Sequence, residues 1–286
     1  AFVLQISTKR RCHMKKNFAF SHDTKNLIAY FILAYAISWA IGIPLALGKQ
    51  GIIHPILPLW THYFVAFGPM LSALIVTWVS QGQTGLKEMG KRMVMWKTAP
   101  IWWFVALSPL IIGFVVVLIM NFTVGNKITI SSLGEVNFLP PLGIGALFLW
   151  VFTFGIGEEV GWRGYALPHL QNNWSALKST IILAALWAFW HVPQFFYVFD
   201  PAIAIGWVIG LFAGAIVFTW LFNSSNGSIL IVAVWHGCFN FITASNAGNG
   251  ILAAVVSTIV MIWAVLVIVI FKSEKLSRHE KIISKT

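Results

Sequence analysis

Residues 250–271 read GILAAVVSTIVMIWAVLVIVIF, without a single Asp, Glu, Lys or Arg. A helix rises 1.5 Å per residue, so about 20 apolar residues cross the hydrocarbon core of a bilayer. This stretch decides the fold class because it is not alone. Similar apolar segments occupy 27–48, 58–80, 101–120, 142–160, 177–198, 203–222 and 229–245. Across the 286 residues, 58% are hydrophobic and 9% charged, where a soluble domain carries about 25% charged residues. Soluble enzyme, disordered, collagen-like and coiled-coil classes are excluded on that balance. The expected fold is all-α, a polytopic membrane protein with about eight transmembrane helices. The first apolar run is too long for a signal-peptide core and reads as a retained span. Pro140-Pro141 suits the first turn of the fourth helix, which is expected to run on to about Gln171.

The few charges orient the chain. Place residues 1–25, the loops after the second, fourth and sixth segments, and residues 272–286 on one side. That side then holds 17 of the 19 Lys and Arg, and only Lys49 and Lys127 fall on the other. This is the positive-inside pattern, and it accounts for a net charge of +11 without nucleic acid. It predicts a basic cytoplasmic N-terminal tail (1–25), a single membrane domain (26–271) and a basic cytoplasmic C-terminal tail (272–286). The expected location is the plasma membrane of a bacterium, with both termini cytoplasmic and the lipid bilayer as a partner. Met14-Lys15-Lys16 reads as a natural start. Two cysteines, Cys12 in the tail and Cys238 in an apolar segment, exclude a disulfide framework.

Ionisable groups at bilayer depth are costly, so each is a functional hypothesis. Six of the eight acidic residues lie in tails, loops or at a segment edge. The other two are adjacent, Glu158 and Glu159, within GIGEEVGWRG at 155–164. Among the histidines, His191 and His236 lie inside segments, and His62 near the outer end of the second. Glu159 and Arg163 are four apart, share a helical face and suit a bidentate pair. Glu158 is rotated by about 100° and can point into a different space. Adjacent carboxylates in a low dielectric disfavour joint ionisation, which suits one of them to general-base work. Gly157, Gly161 and Gly164 form one stripe of small residues that lets helices approach closely. His191 lies one turn after Trp187. His236 and Asn240 present an imidazole and an amide on one face, groups that stabilise an oxyanion. Cys238 lies between them and projects elsewhere.

Each feature also has a structural reading, as a packing salt bridge or an interhelical hydrogen bond. Their conjunction on three segments favours chemistry. Two chemistries stay open. Catalytic Zn2+ takes three protein ligands plus water, and one Glu with two His is an accepted set. Glu158, His191 and His236 are therefore candidate ligands, although no His-Glu-x-x-His helix is present. The same residues also work without metal, Glu158 activating water while His191, His236 and Asn240 stabilise the tetrahedral oxyanion.

The motifs, in this order and on separate segments, resemble a known family. Glu158-Glu-Val-Gly-Trp-Arg163 resembles its Glu-Glu-x-x-x-Arg motif. Trp187-Ala-Phe-Trp-His191 resembles its Phe-x-x-x-His motif, with Trp187 in place of Phe. His236-Gly-Cys-Phe-Asn240 resembles its His-x-x-x-Asn/Asp motif. The family is the CPBP intramembrane proteases, also called the CAAX protease and bacteriocin-processing or Abi family, which includes the type II CAAX prenyl endopeptidases. The resemblance covers residues 142–245. It implies an eight-span all-α fold and proteolysis of a membrane-associated peptide or protein. Glu158 would activate water, Glu159 and Arg163 would support it, and His191, His236 and Asn240 would complete the site. The family has been classed as metal-dependent, while a glutamate mechanism has been argued for its CAAX members.

The expected activity is thus an intramembrane endopeptidase of CAAX or bacteriocin-processing type. Two other classes compete. One is a non-catalytic scaffold or bacteriocin-immunity protein on the same fold. The other is a proton-coupled transporter with Glu158 and His191 as a relay, against which the lack of paired broken helices counts.

Overall fold

The structure is a computed structural model that describes residues 22–123, 128–129, 132–135, 142–248 and 250–284. Most of the basic N-terminal tail, with Cys12 and the expected start at Met14, lies outside the described residues, as do Lys127 and Pro140-Pro141.

Among the described residues the chain forms eight helical runs and no strand. They are α1 (His22–Lys49), α2 (Leu59–Met93), α3 (Pro100–Thr123), α4 (145–171), α5 (Ala176–Trp190), α6 (Ala204–Ser224), α7 (Ile229–Thr243) and α8 (Ile251–Lys275). Each coincides with one expected apolar segment. Six are long and apolar enough to cross a membrane: α1, α2, α3, α5 with its short extension to Phe196, α6 with the turn before it, and α8. Their outward faces carry exposed Ile32, Phe104, Leu118, Phe122, Ile205, Val265 and Val269. In water such a surface would aggregate; in lipid it is the ordinary solvent-facing side. α7, with 15 residues, covers only about 22 Å, and ten of its residues are buried by protein. A helix enclosed by others need not match the bilayer thickness.

α4 packs against α2, α5, α6 and α7, and glycines permit the approach. A Cβ at Gly161 would sit 2.5 Å from the Pro69 carbonyl of α2. A Cβ at Gly155 would collide with the Ala233 carbonyl of α7. Backbones this close maximise packing between helices that lipid does not drive together. The expected stripe divides, because Gly157 and Gly161 face α2 while Gly164 faces Ile229 of α7. The reason is the winding of α4. Val151–Glu158 and Trp162–Ala166 are π-helical, with α-helical turns before, between and after. Each wider turn rotates the faces that follow it away from a regular helix. The run does reach Gln171, as expected.

Two expectations shift. α2 continues past residue 80 to Met93, breaking at Gly82 (φ 60°, ψ −152°), so Lys87, Lys91 and Arg92 sit on a helix rather than in a loop. Residues 272–284 are also not a free tail. Beyond α8 the chain folds back under α4 and α6, where the buried amides of Gln171 and Asn223 bond each other at 2.9 and 3.2 Å. Gln171 donates to the Ile282 carbonyl, Asn223 donates to the Lys275 carbonyl, and the Ile282 amide donates to Asn223.

Candidate active site

Local sequence sets the helix ends that carry the site. α5 starts at Ser175, whose hydroxyl accepts from the Lys178 amide, and α7 at Ser228, whose hydroxyl accepts from the Ile231 amide; both are N-caps. α5 stops at His191 because Pro193 follows Val192, and a proline disfavours helical backbone in the residue before it. The chain turns there into a short 3-10 segment, Val192–Phe196. His191 is therefore a helix-terminal residue, not a mid-span one.

Glu158, Glu159 and Arg163 all lie on α4 and are buried, Glu159 and Arg163 completely. Buried charges need partners. Glu159 Oε1 accepts from Arg163 Nη1 at 3.0 Å and from His236 Nδ1 at 2.9 Å. The expected Glu159–Arg163 pairing is present, but it is not bidentate. Glu159 Oε2 and Arg163 Nε and Nη2 have no hydrogen-bond partner among the described residues. One Glu159 oxygen serves both Arg163 and His236, because His236 reaches it from α7. The Arg163 guanidinium packs 4.5 Å from the centroids of both Trp187 and Phe218, a cation–π contact with each.

Glu158 turns the other way, as expected. Its Oε2 accepts from the Trp187 indole N–H at 2.8 Å, and its Oε1 makes no hydrogen bond to a described residue. Glu158 also interacts electrostatically with His236, Glu159 and Arg163. The Trp187 main-chain carbonyl is 2.8 Å from His191 Nδ1, so that nitrogen carries the proton and Nε2 holds a lone pair. The His191 ring stands edge-on to Trp190 and Trp207, 4.7 Å from each. The Trp187 ring lies 5.6 Å from the His191 ring and 5.7 Å from that of His236. Glu158 and both imidazoles thus border one indole. Asn240 is half-buried, one turn beyond His236, and its side chain makes no hydrogen bond to a described residue. Cys238 is buried and reduced, and takes no part in these contacts.

Some contributors are invisible to motif reasoning. Phe218 of α6 covers Arg163 and sits 5.1 Å from the His236 ring. His62 of α2 hydrogen-bonds the Tyr197 hydroxyl at 3.0 Å and interacts electrostatically with His191. Its position near a segment end hid it; its burial within an apolar run was the available signal. Among the described residues, no three His, Cys, Asp or Glu side chains gather as a metal-holding group. As placed, Glu158, His191 and His236 do not share one ion.

Residues 139–242 match the family described as Rce1-like, the type II CAAX prenyl endopeptidases. Over 113 residues the chain is 31% identical to "CAAX prenyl protease 2" of the archaeon Methanococcus maripaludis, an overlap of 36% of this chain and 40% of that protein. The chain thus spans under half the length of that relative. The matched stretch carries α4, α5 and nearly all of α7, with every motif residue described above.

Proposed function

We propose that the protein is an intramembrane endopeptidase that hydrolyses a peptide bond near the end of a membrane-associated protein or peptide, with Glu158 as the base. The observation that carries this is the divided carboxylate pair. Glu159 is consumed by Arg163 and His236, while Glu158 keeps one oxygen uncommitted beside two imidazoles.

Each group has a role that follows from its protons. Glu158 Oε1 takes a proton from water as the oxygen adds to the scissile carbonyl carbon. The Nε2 lone pair of His191 accepts the water's other hydrogen and orients it. This revises the expectation of an oxyanion donor, since the only proton of His191 is committed to the Trp187 carbonyl. His236 is oriented by the Glu159 carboxylate, which accepts its Nδ1–H, and in its doubly protonated form its Nε2–H donates to the tetrahedral oxyanion. Asn240 adds an amide N–H to the same oxygen. Glu158 then returns its proton to the departing amine nitrogen, which balances the hydrolysis. Arg163 offsets the Glu159 charge and fixes its position.

The substrate class is a CAAX-type C-terminus, the type that the relative's name prints, with a bacteriocin-like leader as the second candidate. The 17-to-2 division of basic residues supports cytoplasmic termini in a plasma membrane. The test is cleavage of a membrane-presented peptide by purified protein in liposomes. Wild type is expected to cut and Glu158→Ala to lose turnover. Equal rates would remove Glu158 as the base.

A further inference from the structure

The geometry points to Trp187 as a positioning residue: its indole N–H clamps Glu158 Oε2 so that Oε1 alone faces the reacting water. This rests on Glu158 as the base.

Three observations on one residue support it. The bond is short and buried, 2.8 Å from Nε1 to Oε2, with both residues 5% exposed or less. It is the only hydrogen bond from a described residue to that carboxylate. The same indole is held on its faces and edge, by the Arg163 guanidinium at 4.5 Å and by the rings of His191, His236 and Phe218 at 5.6 to 6.0 Å. A carboxylate with one anchored oxygen loses its freedom to rotate, and orientation of a reacting group is worth large rate factors. Other buried indoles contrast with this one. The Nε1 atoms of Trp162, Trp190, Trp220 and Trp235 have no acceptor among the described residues. Those rings serve as bulk, whereas Trp187 spends its donor on the candidate base. Phe, the residue in the family's motif, would keep an aromatic ring and the main-chain carbonyl that holds His191, and would lose the N–H together with the second ring of the indole.

The test combines kinetics and spectroscopy on the full-length protein. Trp187→Phe is expected to lower kcat on a membrane-presented peptide by about 10- to 150-fold, the size of one hydrogen bond to a charged group, with KM unchanged. Trp220→Phe, which removes a buried indole without an acceptor on the far side of α6, is expected to keep the wild-type kcat. With the 15 tryptophans labelled at the indole nitrogen, one N–H resonance in micelles is expected to move on Glu158→Ala. That measurement serves even if Trp187→Phe fails to fold. Wild-type kcat in Trp187→Phe, or a KM effect alone, overturns the positioning role and leaves the protease reading intact. An indole spectrum unmoved by Glu158→Ala overturns the hydrogen bond itself. A wild type that cuts no peptide overturns the protease reading, a Glu158→Ala variant that cuts normally removes Glu158 as the base, and this role falls with either.

Discussion

Glu159→Gln separates what the buried pair does for the fold from what it does for chemistry. The substitution keeps shape and removes charge. Arg163 is wholly buried, and its one hydrogen bond to a described residue is to Glu159 at 3.0 Å. Leaving a buried partner uncompensated costs about 3–5 kcal/mol, and the two rings over the guanidinium return only about 1–2 kcal/mol of that at best. The single variant is therefore expected to unfold at clearly lower denaturant. Replacing both charges, Glu159→Gln with Arg163→Met, removes the orphaned cation. It should restore most of the stability, because a buried ion pair replaced as a unit is close to neutral. Activity should behave differently. His236 loses a charge-assisted bond of 2.9 Å, worth about 1.5–3 kcal/mol, or about 10- to 150-fold in kcat. That loss should persist in the double variant. SDS-titration unfolding in mixed micelles gives the first quantity, and peptide turnover in liposomes the second. A double variant no more stable than the single would refute the buried-pair argument. A double variant with recovered kcat would refute the role of Glu159 in holding His236.

Three further outcomes follow from other parts of the molecule. Gly161→Ala places a methyl 2.5 Å from the Pro69 carbonyl and should cost about 1–3 kcal/mol by overpacking, read in the same unfolding titration; an unchanged midpoint would mean that α2 and α4 do not meet this closely. Asn223→Ala strips partners from Gln171, Lys275 and Ile282 and should cost about 1–3 kcal/mol, while raising protease sensitivity after Lys275; an intact C-terminal segment under limited proteolysis would count against the strap. Because Glu158, His191 and His236 do not gather as a metal-holding group, metal analysis of purified protein should find well under one zinc per chain, and a chelator should leave cleavage unchanged; stoichiometric zinc that disappears in His191→Ala would show that the three residues close around an ion.

The helices were legible because hydrocarbon length imposes a count that apolar runs obey, and all eight segments became helices. The end of α4 at Gln171 and the Glu159–Arg163 contact were legible for a similar reason, since four-residue spacing survives modest changes in winding. What escaped depends on partners far away in sequence. The continuation of α2 beyond Gly82 was hidden because its charged residues read as loop. The last residues look like a tail, since the groups that hold them, the amides of Gln171 and Asn223 among them, lie more than 50 positions earlier. His236 takes Glu159 rather than Glu158 because two π-helical stretches decide where each carboxylate points, and no local propensity marks those stretches.

Trp187 shows most clearly why site chemistry resists reading from the chain. In any apolar count an indole is bulk, interchangeable with phenyl. Its one N–H is a strong donor, and inside a membrane a donor must find an acceptor or go without. Four other buried tryptophans go without an acceptor among the described residues, so tryptophan in an apolar helix does not by itself signal a functional bond. What distinguishes position 187 is a carboxylate that α4 delivers within 2.8 Å. That delivery depends on winding near Glu158 and on close packing of neighbouring helices, which are properties of the assembled fold. The residue by which this chain departs from the family's motif is therefore also the one whose role only three dimensions disclose.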